Sequence, residues 1–153
     1  MNLSKSKMLL TRRWPKKVES YLTDRFDVQL NTKDIPMTAL DLREALEGFD
    51  VLCPTVTDPL GEAVFDGANI RTKLIANFGV GYNHIDLISA DKAGVQVTNT
   101  PGVLTDATAE IAMTLLLMSA RRAGEGERHL RAGDWSGWRP THMLSTQVTG
   151  KTL

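Results

Sequence analysis

The chain has 153 residues, of which 42% are hydrophobic and 24% charged, and its 18 basic side chains balance 18 acidic ones for zero formal net charge. This length suits one compact core and falls short of two full domains, and a normal apolar content without excess charge excludes a disordered chain. Charge balance also argues against nucleic acid or an anionic membrane as partner.

In chain order, Lys5, Lys7, Arg12, Arg13, Lys16 and Lys17 precede the first acid, Glu19, and read as a solvated basic face. Met8 to Leu10 reads as a short strand. Pro15 suits a helix start and is followed by Val18, Tyr21 and Leu22 at helical spacing. Phe26 to Leu30 alternates like a strand, and Thr38 caps a helix in which Leu40, Leu42, Ala45 and Leu46 recur. Gly48 is the expected stop for that helix, and Val51 to Cys53 starts the next strand. A short helix over Gly61 to Phe65 precedes a buried strand over Leu74 to Phe78. After Gly79 to Gly81 come a helix over Asp86 to Ala93, closed by Gly94, and a strand over Val95 to Val97. Strands alternating with helices at this spacing predict an α/β fold of the flavodoxin-like, doubly wound kind, with a parallel sheet covered on both faces.

Beyond Pro101-Gly102 the pattern changes. Ala107 to Arg122 is the longest helical segment, with Asp106 as expected N-cap and Glu110 and Arg121-Arg122 matching the helix dipole. Ile111, Met113, Leu115, Leu117 and Met118 leave it little polar face. It is therefore expected to be buried on several sides, either as a central core helix or against a second subunit or a further domain. Gly124 to Gly150 holds Trp135 and Trp138 with few aliphatics and reads as an arm or long loop.

Cys53 is the single cysteine, so no intramolecular disulfide forms, and His84, His129 and His142 stand at spacings unsuited to a zinc site with it. No metal is expected, and a reducing cytoplasm is the expected setting. Met8 to Leu10 is far too short for a signal-peptide core, and Ile111 to Met118 is too short for a bilayer, which takes about 20 residues.

Ligands of open parallel sheets bind beyond the carboxyl ends of the strands. Three such turns stand out: Thr11 to Arg13, which carries cations; Pro54 to Thr57, with hydroxyls and an apolar wall; and Gly79-Val80-Gly81. Two glycines in the last turn let the backbone bend tightly and aim successive N–H groups outward, a nest that binds an anion without a side-chain charge.

The segment Leu74-Ile-Ala-Asn-Phe-Gly-Val-Gly-Tyr-Asn-His-Ile-Asp86 is followed by Thr98-Asn-Thr-Pro-Gly-Val-Leu-Thr-Asp-Ala-Thr-Ala-Glu110. In this order and separation the two motifs resemble the D-isomer-specific 2-hydroxyacid dehydrogenases, and among them the glyoxylate and hydroxypyruvate reductases. Thr11-Arg-Arg-Trp-Pro15, Gly133-Asp-Trp-Ser-Gly-Trp138 and the closing Gly150-Lys-Thr-Leu153 fit the same pattern, so the resemblance runs along essentially the whole chain. It implies that the N–H groups of Val80 and Gly81 hold the carboxylate of a small 2-oxo or 2-hydroxy acid and that Pro54 to Val56, Val56 above all, wall its side chain. It also implies that Thr105 lines the nicotinamide side of an NAD or NADP pocket, whereas Asp106 and Glu110 would repel a pyrophosphate. His84 falls in the motif beside a helix start and is read as structural.

The resemblance further implies a homodimer through 107–122 and 124–149, with Trp138 reaching the neighbour's active site. Residues 1–100 then form the substrate domain, and 101–153 form the interdomain and dimerisation helix and the arm of an incomplete Rossmann cofactor domain. The family's catalytic arginine, carboxylate and histidine lie beyond the position matching Leu153, and no Gly-x-Gly-x-x-Gly occurs in the 153 residues. The chain is thus expected to be the N-terminal part of an enzyme, itself inactive and without tight cofactor binding. Two alternatives are a non-catalytic carboxylate- or dinucleotide-binding module on the same scaffold, as in transcriptional corepressors, and a phosphoglycerate- or lactate-type enzyme.

Overall fold

The structure is a computed structural model that describes residues 5–152. Leu153, the last residue of the closing motif, lies outside the described residues. The chain forms two compact units, one up to Val103 and one from Leu104.

In the first unit β1 (Lys7–Leu10), β2 (Asp27–Leu30), β3 (Val51–Cys53), β4 (Leu74–Ala76) and β5 (Gln96–Thr98) form a five-stranded sheet in the order β2-β1-β3-β4-β5. Every pairing is parallel, with Met8 beside both Val28 and Val51, Val51 beside Leu74, and Leu74 beside Gln96. The connections carry α1 (Lys16–Arg25), α2 (Ala39–Gly48), α3 (Glu62–Phe65) and α4 (Leu87–Lys92). Strand alternation divides the core between two faces. Leu9, Leu52 and Ile75 pack with Leu42, Leu46 and Phe65 on one face, whereas Met8, Leu10 and Cys53 pack with Trp14, Leu22 and Phe26 on the other. Each fully buried leucine or isoleucine contributes about 1.5–3 kcal/mol relative to exposure.

The α/β sheet expected from the sequence is present, with local differences that have physical causes. On α1, Val18 and Tyr21 are exposed and the buried residue is Glu19, because its carboxylate takes both Arg13 Nε (2.7 Å) and the Trp14 N–H (2.9 Å). Arg13 and Arg12 are therefore paired, the latter with Asp34 at 2.8 Å, and not part of a freely solvated basic face. Thr38 does cap α2, in a reciprocal box: its Oγ1 accepts the Asp41 N–H (3.2 Å) and its own N–H donates to Asp41 Oδ2 (2.8 Å). Gly48 is still helical, and the helix stops because Phe49 turns extended (φ −121°) to enter the core. Leu40 points outward. Asp86 stands before α4 as its cap, accepting the Ser89 N–H at 2.8 Å.

In the second unit α5 (Thr105–Arg121) begins two residues earlier than a helix capped by Asp106, with Leu104 at the cap position and no side-chain cap. None of its residues is buried in this single chain, so α5 is not the central core helix that was one of the two expectations. Residues expected to form a loop instead continue as α6 (Ala123–Arg131). Arg122, left-handed at φ +53°, makes the joint, donates to Glu125 at 2.8 and 2.6 Å, and also donates to the Leu144 carbonyl at 2.9 Å. The i,i+4 pair Glu127 and Arg131, with three basic residues in the last turn, compensates for Gly124 and Gly126. The arm returns to the end of α5, where the Thr146 N–H donates to the Ala120 carbonyl (2.9 Å).

Candidate functional site

The chain runs from β1 to β2 on one side of the sheet and then to β3 on the other side of β1, so the strand order reverses between β1 and β3. Such a switch point opens a crevice at the carboxyl ends of the strands. The turns after β1, β3 and β4 meet there. The Phe78 N–H donates to the Pro54 carbonyl at 2.9 Å, and the Phe78 ring lies against Trp14 with centroids 4.7 Å apart.

Asp58 organises the turn after β3. Its fully buried carboxylate accepts Thr11 Oγ1–H (2.6 Å) and the Thr55 N–H (2.7 Å) through Oδ2, whereas Oδ1 has no partner among the described residues. The turn so held presents Val56, which is 59% exposed and faces Gly79.

Asn77, buried at the end of β4, organises the next turn. Its Nδ2 donates to the carbonyls of Gly79 (3.2 Å) and Gly81 (2.9 Å). Across a planar trans peptide the carbonyl and the following N–H point opposite ways. The Val80 N–H therefore points away from Asn77. The Val80 carbonyl in turn accepts Asn99 Nδ2–H at 2.8 Å, which turns the Gly81 N–H away from Asn99. Neither N–H donates to a protein acceptor among the described residues. Neither glycine has a positive φ. Gly79 is needed for close approach, since a Cβ there would stand 3.1 Å from Val56 Cγ1, and Gly81 faces open space.

His84, two residues before the α4 cap, completes the turn: its Nε2 lies 3.1 Å from Asn77 Oδ1. Because the Asn77 amide nitrogen already donates to two carbonyls, its oxygen must accept, which makes His84 Nε2 the protonated nitrogen of the neutral ring. Burial holds the His84 pKa below its ordinary 6.5 against an opposing pull from Asp58.

The cations of the β1 turn are paired with carboxylates, and Arg12 Nη1 also donates to Thr57 Oγ1 (3.3 Å) in the turn after β3. The Arg12 guanidinium, hydrogen-bonded to Asp34, holds that carboxyl down to about 2, and Arg13 lowers Glu19 in the same way. An anion in the crevice would thus be met by backbone donors. Burial pushes the Cys53 thiol up to about 12, so it supplies no nucleophile, and no group of three His, Cys, Asp or Glu among the described residues could hold a metal. Among the described residues no helix is long and apolar enough to cross a membrane.

Val56, Val80 and Gly81 are thus brought together in the first unit. Thr105 and Trp138 belong to the second, where Thr105 is exposed in the first turn of α5 and Trp138, 83% exposed, lines an open cavity of about 430 Å³ with Trp135, Leu130 and His129. No Gly-x-Gly-x-x-Gly occurs in the 153 residues, and the first turn of α5 carries Asp106. Asn77, Asp58 and Asn99 escaped the sequence reading. An asparagine two and four residues before glycines at a strand end is the signal that could have found the first.

These features define a parallel α/β domain of the doubly wound class with a crevice of backbone donors at its switch point. A profile described as the D-isomer specific 2-hydroxyacid dehydrogenase catalytic domain matches residues 8–151, and the chain belongs to that family. It is 37% identical over 150 residues to a glyoxylate reductase of Korarchaeum cryptofilum (strain OPF8), an alignment covering 97% of this chain and 45% of the relative. A glyoxylate reductase of Pyrococcus horikoshii is 39% identical over 155 residues, covering 97% of this chain and 46% of the relative. Among solved structures, an NADPH-dependent glyoxylate/hydroxypyruvate reductase from Sinorhizobium meliloti, in complex with NADP and malonate, superposes with a TM-score of 0.76 at 28% identity, over 97% of this chain and 45% of that one. The chain spans about half the length of the curated relatives it matches.

Proposed function

We propose that this chain supplies the substrate-binding part of an NAD(P)H-dependent oxidoreductase that reduces a small 2-oxo acid such as glyoxylate or hydroxypyruvate to the 2-hydroxy acid. The observation that carries this reading is that the Val80 and Gly81 N–H groups, turned away from Asn77 and Asn99, donate to no acceptor among the described residues and lie beside the exposed Val56. Two adjacent backbone donors match the two oxygens of a carboxylate, and a charge-assisted bond to each is about twice as strong as a neutral one. Val56 covers the substituent at the other end. Thr105 is assigned to the nicotinamide side of the cofactor pocket, and the acid–base group and cationic clamp come from outside the 153 residues. The names of the glyoxylate reductases above, and the dicarboxylate bound by the Sinorhizobium relative, support the substrate class.

The uncovered apolar residues of α5, including Ile111, Leu115 and Met118, support a homodimer through 107–122 and 124–149, with Trp138 offered to the neighbour's site. Titrating the ¹⁵N-labelled chain with oxamate, an unreactive 2-oxo acid analogue, tests the substrate assignment. Val80 and Gly81 amide shifts should move first and saturate; shifts confined to other turns would sink it. The same chain should oxidise no NADPH with glyoxylate, and turnover by material of verified mass would overturn that expectation.

A further inference from the structure

The turn that presents the Val80 and Gly81 donors is not rigid by its own glycines, because neither needs a left-handed backbone and a Cβ on Gly81 would meet nothing within 4 Å. Its shape is imposed from the side chains below. We propose that Asn77 and His84 are positioning residues: His84 Nε2–H anchors the Asn77 carboxamide, and that carboxamide clamps the Gly79 and Gly81 carbonyls, which turns the Val80 N–H away from Asn77 while Asn99 turns the Gly81 N–H.

The geometry leaves one consistent assignment of donors. Asn77 Nδ2 stands 3.2 Å from the Gly79 carbonyl and 2.9 Å from the Gly81 carbonyl, which uses both amide protons. Asn77 Oδ1 is then the acceptor at 3.1 Å from His84 Nε2. The two carbonyls already exclude the reversed carboxamide, which would set an oxygen against them, and His84 Nε2–H fixes the amide at its other end. His84 therefore limits the swing of the carboxamide, and the carboxamide holds the Gly79 and Gly81 carbonyls in place. A buried amide with every donor and acceptor used is also stiff, since each alternative rotamer leaves a buried polar group unpaired. The consequence for binding rests on the carboxylate reading above; the clamp itself does not.

The test compares the full chain with His84→Ala, His84→Gln and Asn77→Asp. Glutamine carries an N–H at about the reach of His84 Nε2, whereas Asn77→Asp sets a carboxylate oxygen against the two carbonyls. Three readouts are taken by NMR: the tautomer of the His84 ring, the exchange rate of the Asn77 side-chain amide together with the order of Gly79 to Gly81, and the oxamate affinity. Unchanged methyl shifts of Leu52 and Ile75 certify that each variant retains its core. The expected results are an Nε2–H tautomer, a faster-exchanging and less ordered turn in His84→Ala and Asn77→Asp with recovery in His84→Gln, and about tenfold weaker oxamate binding in the two disrupted variants, the fold-change of one lost buried hydrogen bond. An Nδ1–H tautomer, or a turn as ordered in His84→Ala as in the native chain, would overturn the clamp. If the turn loosens as expected but the native chain ignores oxamate, the clamp stands and the carboxylate reading falls.

Discussion

At the scale of single residues, Gly79 and Gly81 look equivalent in sequence and differ in physics. A methyl group on Gly79 would stand 3.1 Å from Val56 Cγ1, and the same group on Gly81 would meet nothing within 4 Å. Since Gly81 also lacks a positive φ, Gly81→Ala removes backbone freedom from the unfolded chain at no native cost and should leave stability unchanged or raised by up to about 1 kcal/mol. Val56 is exposed on its far side and can yield, so Gly79→Ala should cost under about 1 kcal/mol while displacing the Val56 methyls. Urea unfolding and methyl shifts check the pair; a larger loss for Gly81→Ala than for Gly79→Ala would contradict the contact. The glycine turn itself was legible in the sequence because glycines between a strand and a helix are few and conspicuous. Its control by Asn77, Asn99 and Asp58 was not, since those contacts depend on which strand ends become neighbours, and no local pattern encodes that order.

At the scale of elements, the strands and every helix but α6 were readable from periodicity, because short apolar runs and a cap such as Thr38 mark them. Orientation was harder where a charge outweighs apolar spacing. On α1, Val18 and Tyr21 suggested the inward face, yet Glu19 is the buried residue because three hydrogen bonds hold it. Glu19→Ala strands the part-buried Trp14 N–H and frees Arg13, a loss of about 1–3 kcal/mol, whereas Val18→Ala should change stability by less than about 0.5 kcal/mol. Comparable losses for the two variants in urea unfolding would return α1 to the orientation its spacing suggests. α6 was missed because Gly124 and Gly126 argue against a helix, and the compensation comes from charge pairs at Arg122–Glu125 and Glu127–Arg131 whose joint contribution only the folded spacing reveals. The apolar surface of α5 is the complementary case: its composition was plain in the sequence, and the chain alone leaves it uncovered.

At the scale of the whole molecule, zero net charge conceals an ionisation pattern that points one way. Every resolved histidine and carboxylate shift is downward: burial lowers His84 in the first unit and His142 in the second, and hydrogen bonds from arginines lower Asp34, Glu19 and Asp50. A histidine whose folded pKa is depressed binds fewer protons folded than unfolded. Its contribution is therefore fully present above the unfolded value of 6.5 and is lost as pH falls through the folded value. For the carboxylates the contribution is present above about 4.5 and is lost as pH falls, for Asp34 toward about 2. Stability should accordingly fall in two stages on acidification, a shallow one below pH 6.5 from the histidines and a steeper one below pH 4.5 from the carboxylates. Because the two histidines lie in different units, replacing either by Phe should flatten only part of the upper stage. Urea midpoints measured across this range check the sign, and stability that rises between neutral pH and pH 5 would show that the imidazoles gain a partner on protonation and that burial does not govern them.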